Sequence, residues 1–506
     1  MIDANTPVLV GVGQYTVRDE PLDALSTPMD LMERAAHAAA KDAHAPKRWL
    51  EDIDTLVVVK SFREPMRNSP AVLAARLGAT NADTYLTPDG GEAPQYLVNR
   101  YAGAIARGEA RSVLLAGAEV MDNGRRLIKA GQKPDWREPA DRDATWLYPE
   151  RPMASAYEEA HGIWIASHVY PLFENALRHR YGHTIDEHQT AMGALMQPLT
   201  AVSAASPNAW FPIQRTAAEI SEPGPANRYV SWPYTKFMCA MNQINQSAAL
   251  LLTSVGHART SGIPEERWVY LHGAGDVQDI WHVSERSAYA ASPAMALMGE
   301  RALAQAGLEI SDISYFDLYS CFPSAVAIGR DALGLSPNDP RPLTVTGGLP
   351  YHGGAGNNYS MNAVATMADQ LRAEPGSFGM VTANGGYLTK HAAGIYSTMP
   401  VSGPWHRESP ATYQRQIDRL PRPPLLEAPT GQGMIETYTV TYGRDGVPNR
   451  GIIIGRMGDI NDPSTPRFLA NAPADAATLT AMTETDFIGT SGAVSRQGDI
   501  NLFTPN

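Results

Sequence analysis

The sequence is poor in cysteine, in net positive charge and in long apolar runs, and each shortage excludes a class of protein. Its two cysteines, Cys239 and Cys321, have no C-x-x-C spacing, so we expect neither a disulfide framework nor a metal site. Acidic residues outnumber lysine and arginine by 53 to 41, which argues against nucleic acid or an anionic membrane as the main partner. No apolar run approaches the roughly 18 residues of a membrane span. The first residues lack the features of a signal peptide, and we expect a cytoplasmic protein.

The remaining composition, 43% hydrophobic and 19% charged over 506 residues, is that of a multidomain globular protein. Strand and helix patterns alternate at the start. Residues 7–13, PVLVGVG, are typical of a buried strand. Further on, Asp89 is a plausible N-cap for a helix with Pro94 in its first turn, and Gly108 ends that helix before the buried strand SVLLAGAEV.

The second half of the chain repeats the pattern of the first with a period of roughly 260 residues. The matching helix and strand segments are 31–41 with 297–307, 52–62 with 312–322, and 95–120 with 361–386. The repeat predicts two similar α/β lobes that share one core.

We divide the chain accordingly. Residues 1–280 form the first half, including a largely helical insert at about 122–230, and residues 281–405 form the second half. Residues 406–429 are a Pro/Arg-rich linker. Residues 430–506 alternate like strands around an RDG turn and predict a small OB-like barrel, or alternatively a cap on the second half.

The most distinctive stretch is 347–364, GGLPYHGGAGNNYSMNAV, in which one histidine lies among glycines just before a helical pattern. Such a loop lets the backbone approach a ligand closely, and His352 could shuttle a proton or donate to an anion there. The alternative is that His352 only satisfies a turn. A different reading of the chain, a nicotinamide oxidoreductase, rests on Gly11 and Gly13 alone, because Thr16 occupies the third position of the glycine motif.

The duplicated halves, the helical insert and the HGGAG loop together resemble the thiolase superfamily over about residues 5–400. The closest resemblance is to sterol-carrier-protein-type thiolases and to thiolase-like proteins with an extra C-terminal domain. It implies a duplicated five-layer αβαβα body plus the C-terminal β domain. It also implies acyl-CoA thioesters as ligands, with coenzyme A as substrate or ligand, no covalently bound cofactor, and a homodimer formed through the thiolase body.

The resemblance also assigns roles to particular residues, and both thiolase cysteines are missing. The nucleophile position falls on Gly91 and the second cysteine on Asn384, while the family's glycine-flanked histidine is kept as His352. The second-half motif reads Tyr319-Ser320-Cys321-Phe322. Without a thiolate, ordinary thiolase turnover is not expected.

Several groups could still act on a thioester. The backbone N–H groups of Gly91 and Gly386 could form an oxyanion hole. Tyr319 and Tyr359 resemble the tyrosines of thiolase-like retro-aldolases, and a phenol serves as acid or base when neighbours lower its pKa. The further ligand-binding candidates, each with packing or solvation as the alternative, are Asn242, Arg228, Lys236, Arg215 and Cys321.

Three functions follow. The first is an acyltransferase-family protein that acts on or binds acyl-CoA thioesters with a degenerate site. The second is a retro-aldol lyase on a β-hydroxyacyl-CoA that uses Tyr319, Tyr359 and His352. The third is a non-catalytic binder of CoA thioesters.

Overall fold

The computed structural model describes residues 2–46, 48–63 and 66–506, which form an α/β body and a β-barrel. The strands are β1 (Pro7–Thr16), β2 (Thr55–Val59), β3 (Asp83–Leu86), β4 (Ser112–Val120), β5 (Tyr229–Ser231), β6 (Tyr234–Thr235), β7 (Asn245–Ser254), β8 (Val269–Gln278), β9 (Tyr315–Asp317), β10 (Phe378–Gly385), β11 (Lys390–Ser397), β12 (Gly431–Tyr442), β13 (Pro448–Arg456), β14 (Arg467–Asn471), β15 (Ser491–Gln497) and β16 (Ile500–Pro505).

The helices alternate with the strands in the body and cluster in the insert. They are α1 (Pro28–Asp42), α2 (Ser69–Leu77), α3 (Ala93–Ala106), α4 (Met121–Lys129), α5 (Ala156–Ala160), α6 (Ala166–Tyr181), α7 (Ile185–Ala205), α8 (Ala217–Ser221), α9 (Val255–Thr260), α10 (Pro293–Ala306), α11 (Pro323–Ala332), α12 (Tyr359–Ala373), α13 (Pro410–Asp418) and α14 (Ala476–Glu484).

The strand order of the body confirms the duplication. In the first half β1 pairs antiparallel with β7, β7 antiparallel with β4, and β4 parallel with β2. In the second half β8, β11, β10 and β9 repeat these three pairings in the same order. The halves join where β1 runs antiparallel to β8. Helices α3 and α12 contact each other and strands of both halves, so they form the middle layer, while α1 and α10 pack on the outer faces.

The two glycines that suggested a dinucleotide site serve helix packing instead. Gly11 and Gly13 lie on β1, where an added Cβ would overlap backbone carbonyl oxygens of α1. Gly273 and Gly275 on β8 make the same close approach to carbonyl oxygens of α10. A side chain would push helix and strand apart, so both halves need glycine here. This packing removes the basis of the oxidoreductase interpretation.

The start of α3 corrects one prediction. Pro94 lies in the first turn and Gly108, with φ of +72°, follows the helix end as expected. The N-cap, however, is Glu92 rather than Asp89, and Glu92 makes no side-chain capping bond. The carboxylate of Asp89 is engaged elsewhere, in an ion pair with Lys60 at 2.9 Å.

The C-terminal strands close into a five-stranded barrel in the order β12, β13, β14, β16, β15 and back to β12. The predicted β-barrel is therefore confirmed. The insert extends this sheet, because Ser231 of β5 pairs with Thr441 of β12. The barrel also packs on α6, where Asn175 donates to the Tyr438 carbonyl at 3.1 Å. Barrel and insert thus share one sheet and one interface.

Two further features complete the architecture. Residues 410–418, between body and barrel, form α13, whose Tyr413 and Ile417 are buried against the body. Among the helices of the described residues, none is both long enough and apolar enough to cross a bilayer.

Candidate active site

Four loops meet between the two halves of the body and bring the candidate residues together. A Cβ on Gly385 would lie 3.1 Å from the Gly90 Cα, so the loops that precede α3 and follow β10 are in contact. The ring centroids of Tyr319 and Tyr359 are 5.6 Å apart, and those of His352 and Tyr359 are 6.0 Å apart. These three side chains are buried, each at most 6% exposed.

Tyr319 occupies the space beside Gly91. A Cβ added to Gly91 would overlap the Tyr319 hydroxyl oxygen and would lie 2.6 Å from the Asn384 carbonyl oxygen. The Gly91 carbonyl is held by the Ser360 hydroxyl at 2.9 Å. The position that the thiolase resemblance assigns to the nucleophile is therefore filled by a phenol from the other half of the protein.

His352 is held by its backbone, and its ring is left unsatisfied. The His352 carbonyl accepts from the Trp210 amide at 2.6 Å and from the Gln246 side-chain amide at 2.8 Å. Both ring nitrogens are buried without a hydrogen-bond partner. The Thr346 backbone lies near enough to favour the charged ring slightly, but burial dominates and lowers the His352 pKa to about 4. The ring is therefore neutral at pH 7.

The glycines around His352 are required by the path of this loop. Gly347, Gly348 and Gly353 have φ of +105°, +80° and +118°, which other residues rarely adopt. Their conformation sets the path of the backbone on both sides of His352.

Asn384 is anchored by a residue that the sequence did not single out. Its side-chain amide donates to the Tyr170 hydroxyl at 2.8 Å, and that hydroxyl donates to the Gly386 carbonyl at 3.2 Å. The Asn384 Oδ1 atom is buried without a partner. Tyr170 comes from α6, so the insert supplies part of the site; its helical pattern gave no signal of this role.

The two tyrosines differ in their hydrogen bonding. The Tyr359 hydroxyl donates to Asp317 Oδ1 at 3.0 Å and also contacts the Thr346 hydroxyl at 2.6 Å. Asp317 is fully buried and accepts further bonds from Thr344 and Thr346, a cluster that sequence reasoning missed. The Tyr319 hydroxyl makes no hydrogen bond with the residues that the structure describes, which leaves it the available phenol.

The phenol pKa values correct the expectation of an activated tyrosine. Burial raises the pKa of Tyr319 and of Tyr359 well above the ordinary value, and nearby groups, Cys321 and Glu92 for Tyr319 and Asp317 for Tyr359, raise them further. Both phenols are therefore protonated at neutral pH. They can donate a proton or a hydrogen bond, but they are not standing bases.

Cys321 and Cys239 are free, buried thiols. Burial raises the pKa of each to about 12. A protonated thiol is a poor nucleophile, so Cys321 does not replace the missing cysteine. Its sulfur lies 4.0 Å from the Asn384 amide and forms part of the pocket wall.

Asn357 clamps the loop that carries Gly91. Its amide nitrogen donates to the Lys60 carbonyl at 2.8 Å and to Asp89 Oδ1 at 2.9 Å, while its oxygen accepts from the Gly90 amide at 2.9 Å. In the sequence, Asn357 is one residue of the glycine-rich stretch 347–364. The contact with Gly90, 267 residues away, carries no local signal.

The segment 239–242 lies across the site. Ala240 donates to the Cys321 carbonyl at 2.9 Å, and Met241 accepts from Gly354 at 3.0 Å. Asn242 is exposed at the edge, with its Oδ1 2.8 Å from where a Cβ of Gly354 would be. Asn242 therefore lies at the mouth of the HGGAG loop.

The predicted basic residues gather at the start of this segment. The Arg215 guanidinium lies 3.9 Å from the Phe237 ring centroid and the Lys236 ammonium 6.0 Å. Arg228 lies close enough to Cys239 to affect its titration. These three cations are half-buried beside the closing segment rather than in the His352 pocket. Within residues 2–46, 48–63 and 66–506, no group of His, Cys, Asp and Glu could hold a metal ion.

The comparisons agree with this geometry. Over 100% of both chains, the protein is similar to a monomeric SCP2-thiolase like protein type 1 (STLP1) from Mycobacterium smegmatis, with 36% sequence identity and a TM-score of 0.86. A family model described as the thiolase-like protein type 1 additional C-terminal domain matches residues 412–499. The fold defines a thiolase-fold protein. Within that class, the chain belongs to the SCP2-thiolase-like proteins of type 1.

Two more distant structures share the fold. The Ltp2-ChsH2(DUF35) aldolase matches with 21% identity and a TM-score of 0.60, covering 78% of this chain and 98% of that one. Acetyl-CoA acetyltransferase from Syntrophomonas wolfei matches with 14% identity and a TM-score of 0.55, covering 78% and 100%. Comparison with curated protein sequences gives no match.

Proposed function

We propose that the protein binds acyl-CoA thioesters at the His352 site and acts on them without a covalent acyl-enzyme. The observation that carries this proposal is the set of unsatisfied buried atoms in the candidate site: both ring nitrogens of His352 and Oδ1 of Asn384. Leaving such a group unpaired costs about 1–3 kcal/mol, which a bound ligand with matching donors and acceptors would recover.

The thioester carbonyl is the group that fits these donors. Neutral His352 has one ring N–H to give to the carbonyl oxygen. The amides of Gly91 and Gly386 supply backbone donors at the adjoining loops. Gly91 has no side chain and Cys321 holds its proton, so neither residue supplies a nucleophile for acyl transfer through the enzyme.

A second function, retro-aldol cleavage of a β-hydroxyacyl-CoA, is favoured by the free Tyr319 hydroxyl. In that reaction the β-hydroxyl would give its proton to the unprotonated ring nitrogen of His352 as the Cα–Cβ electron pair moves into the thioester to form an enolate. The products are an acyl-CoA and an aldehyde or ketone. The ring N–H of His352 would hold the enolate oxygen, Tyr319 would give its proton to the enolate carbon, and the protonated His352 would return a proton to Tyr319, so that no net proton is consumed. The distant structure described as an aldolase shares this fold.

The third possibility is a protein that binds CoA thioesters without catalysis. It would bind an acyl-CoA and form no product from it. The proposal also places the CoA phosphates near Arg215, Arg228 and Lys236, with Asn242 at the pantetheine. A cytoplasmic setting belongs to the same proposal.

The thiolase resemblance implies a homodimer, whereas the M. smegmatis relative is described as monomeric. Light scattering at several protein concentrations decides between the two for this chain.

The direct test is incubation with a short β-hydroxyacyl-CoA, followed by chromatography of CoA species and intact protein mass. We expect a cleaved acyl-CoA, a carbonyl product, no mass increase of the protein, and loss of cleavage in His352→Ala. His272→Ala is the matched control, because His272 is another buried histidine but bonds Met399 on the far side of the body. A stable acyl-protein adduct, or equal turnover in His352→Ala and wild type, would overturn the proposal.

A further inference from the structure

An irregular segment of the insert lies against the loop that carries His352. Residues 208–215, here called the strap, belong to no helix or strand. The Trp210 amide donates to the His352 carbonyl at 2.6 Å, and the Phe211 amide donates to the Tyr351 carbonyl at 3.0 Å. The strap is therefore fixed to the HGGAG loop by its backbone and forms part of the surroundings of His352.

The two ends of the strap are held by different parts of the protein. At one end the Arg215 amide donates to the Thr200 hydroxyl of α7 at 3.0 Å. The proposed function places the CoA phosphates at this end. At the other end the Asn208 carbonyl accepts from the Thr16 hydroxyl of β1 at 2.5 Å. Trp210 lies near the Asn208 end, and the five residues from there to Arg215 span at most about 18 Å.

Arg18 lies at the Asn208 end of the strap. Its Nε atom donates to the Trp210 carbonyl at 3.3 Å, and its guanidinium carbon is 6.0 Å from the centroid of the Trp210 ring. After burial, which dominates, the charge of Arg18 is a further cause of the lowered His352 pKa. Arg18 therefore brings a positive charge near His352, at the end of the strap away from Arg215.

The terminal nitrogens of Arg18 are free. Nη1 and Nη2 make neither a hydrogen bond nor an ion pair with the residues that the structure describes. Of the two acids that follow in the chain, Asp19 is exposed and unpaired, and Glu20 accepts from the Ser26 amide at 2.9 Å. Arg18 is half-buried and its terminal nitrogens are not among the enclosed atoms, so a ligand can reach them.

The chemistry of this corner favours an organic acid with an apolar stem. Two free guanidinium nitrogens side by side match the two oxygens of a carboxylate. The Trp210 ring, which lies under the guanidinium, offers an apolar surface between Arg18 and the His352 loop. A ligand group that runs from His352 to Arg18 would therefore be apolar along its length and negatively charged at its end.

We infer that Arg18 binds a carboxylate at the far end of the acyl group, so that the preferred ligands are CoA thioesters of dicarboxylic acids. The thioester carbonyl would lie at His352, the acyl chain along Trp210, and the carboxylate at Nη1 and Nη2 of Arg18. No bond is made or broken, and Arg18 is a specificity-determining residue. The inference rests on the proposed function, which places the thioester at His352.

Calorimetric titration with three matched pairs of thioesters tests this preference. The pairs are succinyl-CoA with butyryl-CoA, glutaryl-CoA with pentanoyl-CoA, and adipyl-CoA with hexanoyl-CoA. The members of a pair have equal chain lengths and differ in the terminal carboxylate. In at least one pair, wild type should bind the acid about tenfold or more tightly than its neutral match, as one charge-assisted hydrogen bond predicts. The protein's net charge of −12 would by itself favour the neutral member.

Variants of Arg18 assign the preference to this residue. Arg18→Met removes the guanidinium, so the preference should disappear while affinity for the neutral thioester stays within about twofold of wild type. Arg18→Lys keeps a cation and should keep part of the preference. Arg111→Met is the control, because Arg111 also donates to a backbone carbonyl, that of Asp52 at 3.2 Å, but lies exposed before the start of β4. It should bind every thioester like wild type.

Equal affinity of wild type for both members of all three pairs would overturn the inference, and so would a preference that survives in Arg18→Met. If Arg18→Met weakens free CoA as much as the acid thioester, Arg18 binds a CoA phosphate and the inference is wrong. The wild-type pairs and Arg18→Lys decide the question if Arg18→Met does not fold. Binding without preference leaves the proposed function standing, whereas no binding of any CoA species overturns both.

Discussion

The Tyr319 hydroxyl occupies the space beside Gly91 that any side chain at residue 91 would need. The two residues come from opposite halves of the duplicated body, and each explains the other. Glycine makes room for the phenol, and the phenol makes a cysteine at 91 sterically incompatible. The packing therefore leaves no room for the cysteine that the thiolase resemblance would place at residue 91.

Restoring the cysteine should therefore cost stability rather than restore acyl transfer. Gly91→Cys is expected to destabilise the protein by about 1–3 kcal/mol through overpacking against Tyr319. In a double-mutant cycle measured by urea unfolding, Tyr319→Ala should make room for the cysteine. The double variant should then lose less unfolding free energy than the sum of the losses in the two single variants. Additive effects would show that the two residues do not compete for space.

Tyr319 and Tyr359 should differ in role, with Tyr319 needed for catalysis and Tyr359 for stability. Tyr319→Phe removes the free phenol and should slow α-hydrogen exchange or cleavage about 100-fold or more with little change in CoA affinity. Tyr359→Phe removes a donor to buried Asp317 and should instead cost about 1–3 kcal/mol of stability. Rate assays and unfolding curves on both variants check this. A larger rate loss in Tyr359→Phe than in Tyr319→Phe would reverse the assignment.

The buried histidines predict a pH-dependent stability. Burial lowers the pKa of His352 and of His391 to about 4, below the unfolded value of 6.5. Above pH 6.5 both states are neutral; as the pH falls from 6.5 to 4, only the unfolded chain gains these protons, and stability falls. Each histidine contributes a slope of up to about 1.4 kcal/mol per pH unit.

Unfolding free energies at pH 5 and 6 test this slope. The unfolding free energy of His352→Gln should change less steeply with pH than that of wild type, by about 1.4 kcal/mol per pH unit. The other titrating groups contribute equally to both proteins and cancel in the comparison. Identical slopes would mean that His352 is not held neutral in the folded protein.

The barrel should be inseparable from the body. Arg467 is fully buried, pairs with Glu436 at 2.7 Å and donates to the Ser284 carbonyl at 2.9 Å. Arg467→Met should lower the free energy of unfolding by about 3 kcal/mol. This is near the low end of the loss expected when one partner of a buried ion pair is removed, because Arg456 still pairs with Glu436. Exposed Arg496→Met is the control, and a loss of similar size there would contradict the account.

Much of this structure could be predicted from local sequence. The repeat at 31–41 and 297–307 indicated the two lobes, and the glycine-rich loop indicated His352, because periodicity and turn chemistry are local signals. The Tyr170 contact with Asn384 and the Asn357 contact with Gly90 join segments more than 200 residues apart. The raised pKa of Tyr319 depends on burial, which only the assembled fold determines.

The most direct measurement is calorimetric titration of wild type and His352→Ala with free CoA and with an acyl-CoA, with His272→Ala as control. The account predicts that His352→Ala weakens the acyl-CoA by about tenfold or more, the loss of one buried hydrogen bond, and leaves free CoA nearly unchanged. His272→Ala should bind both ligands like wild type. Equal weakening of both ligands by His352→Ala, or no binding of any CoA species by wild type, would contradict the claim that this site holds a thioester carbonyl.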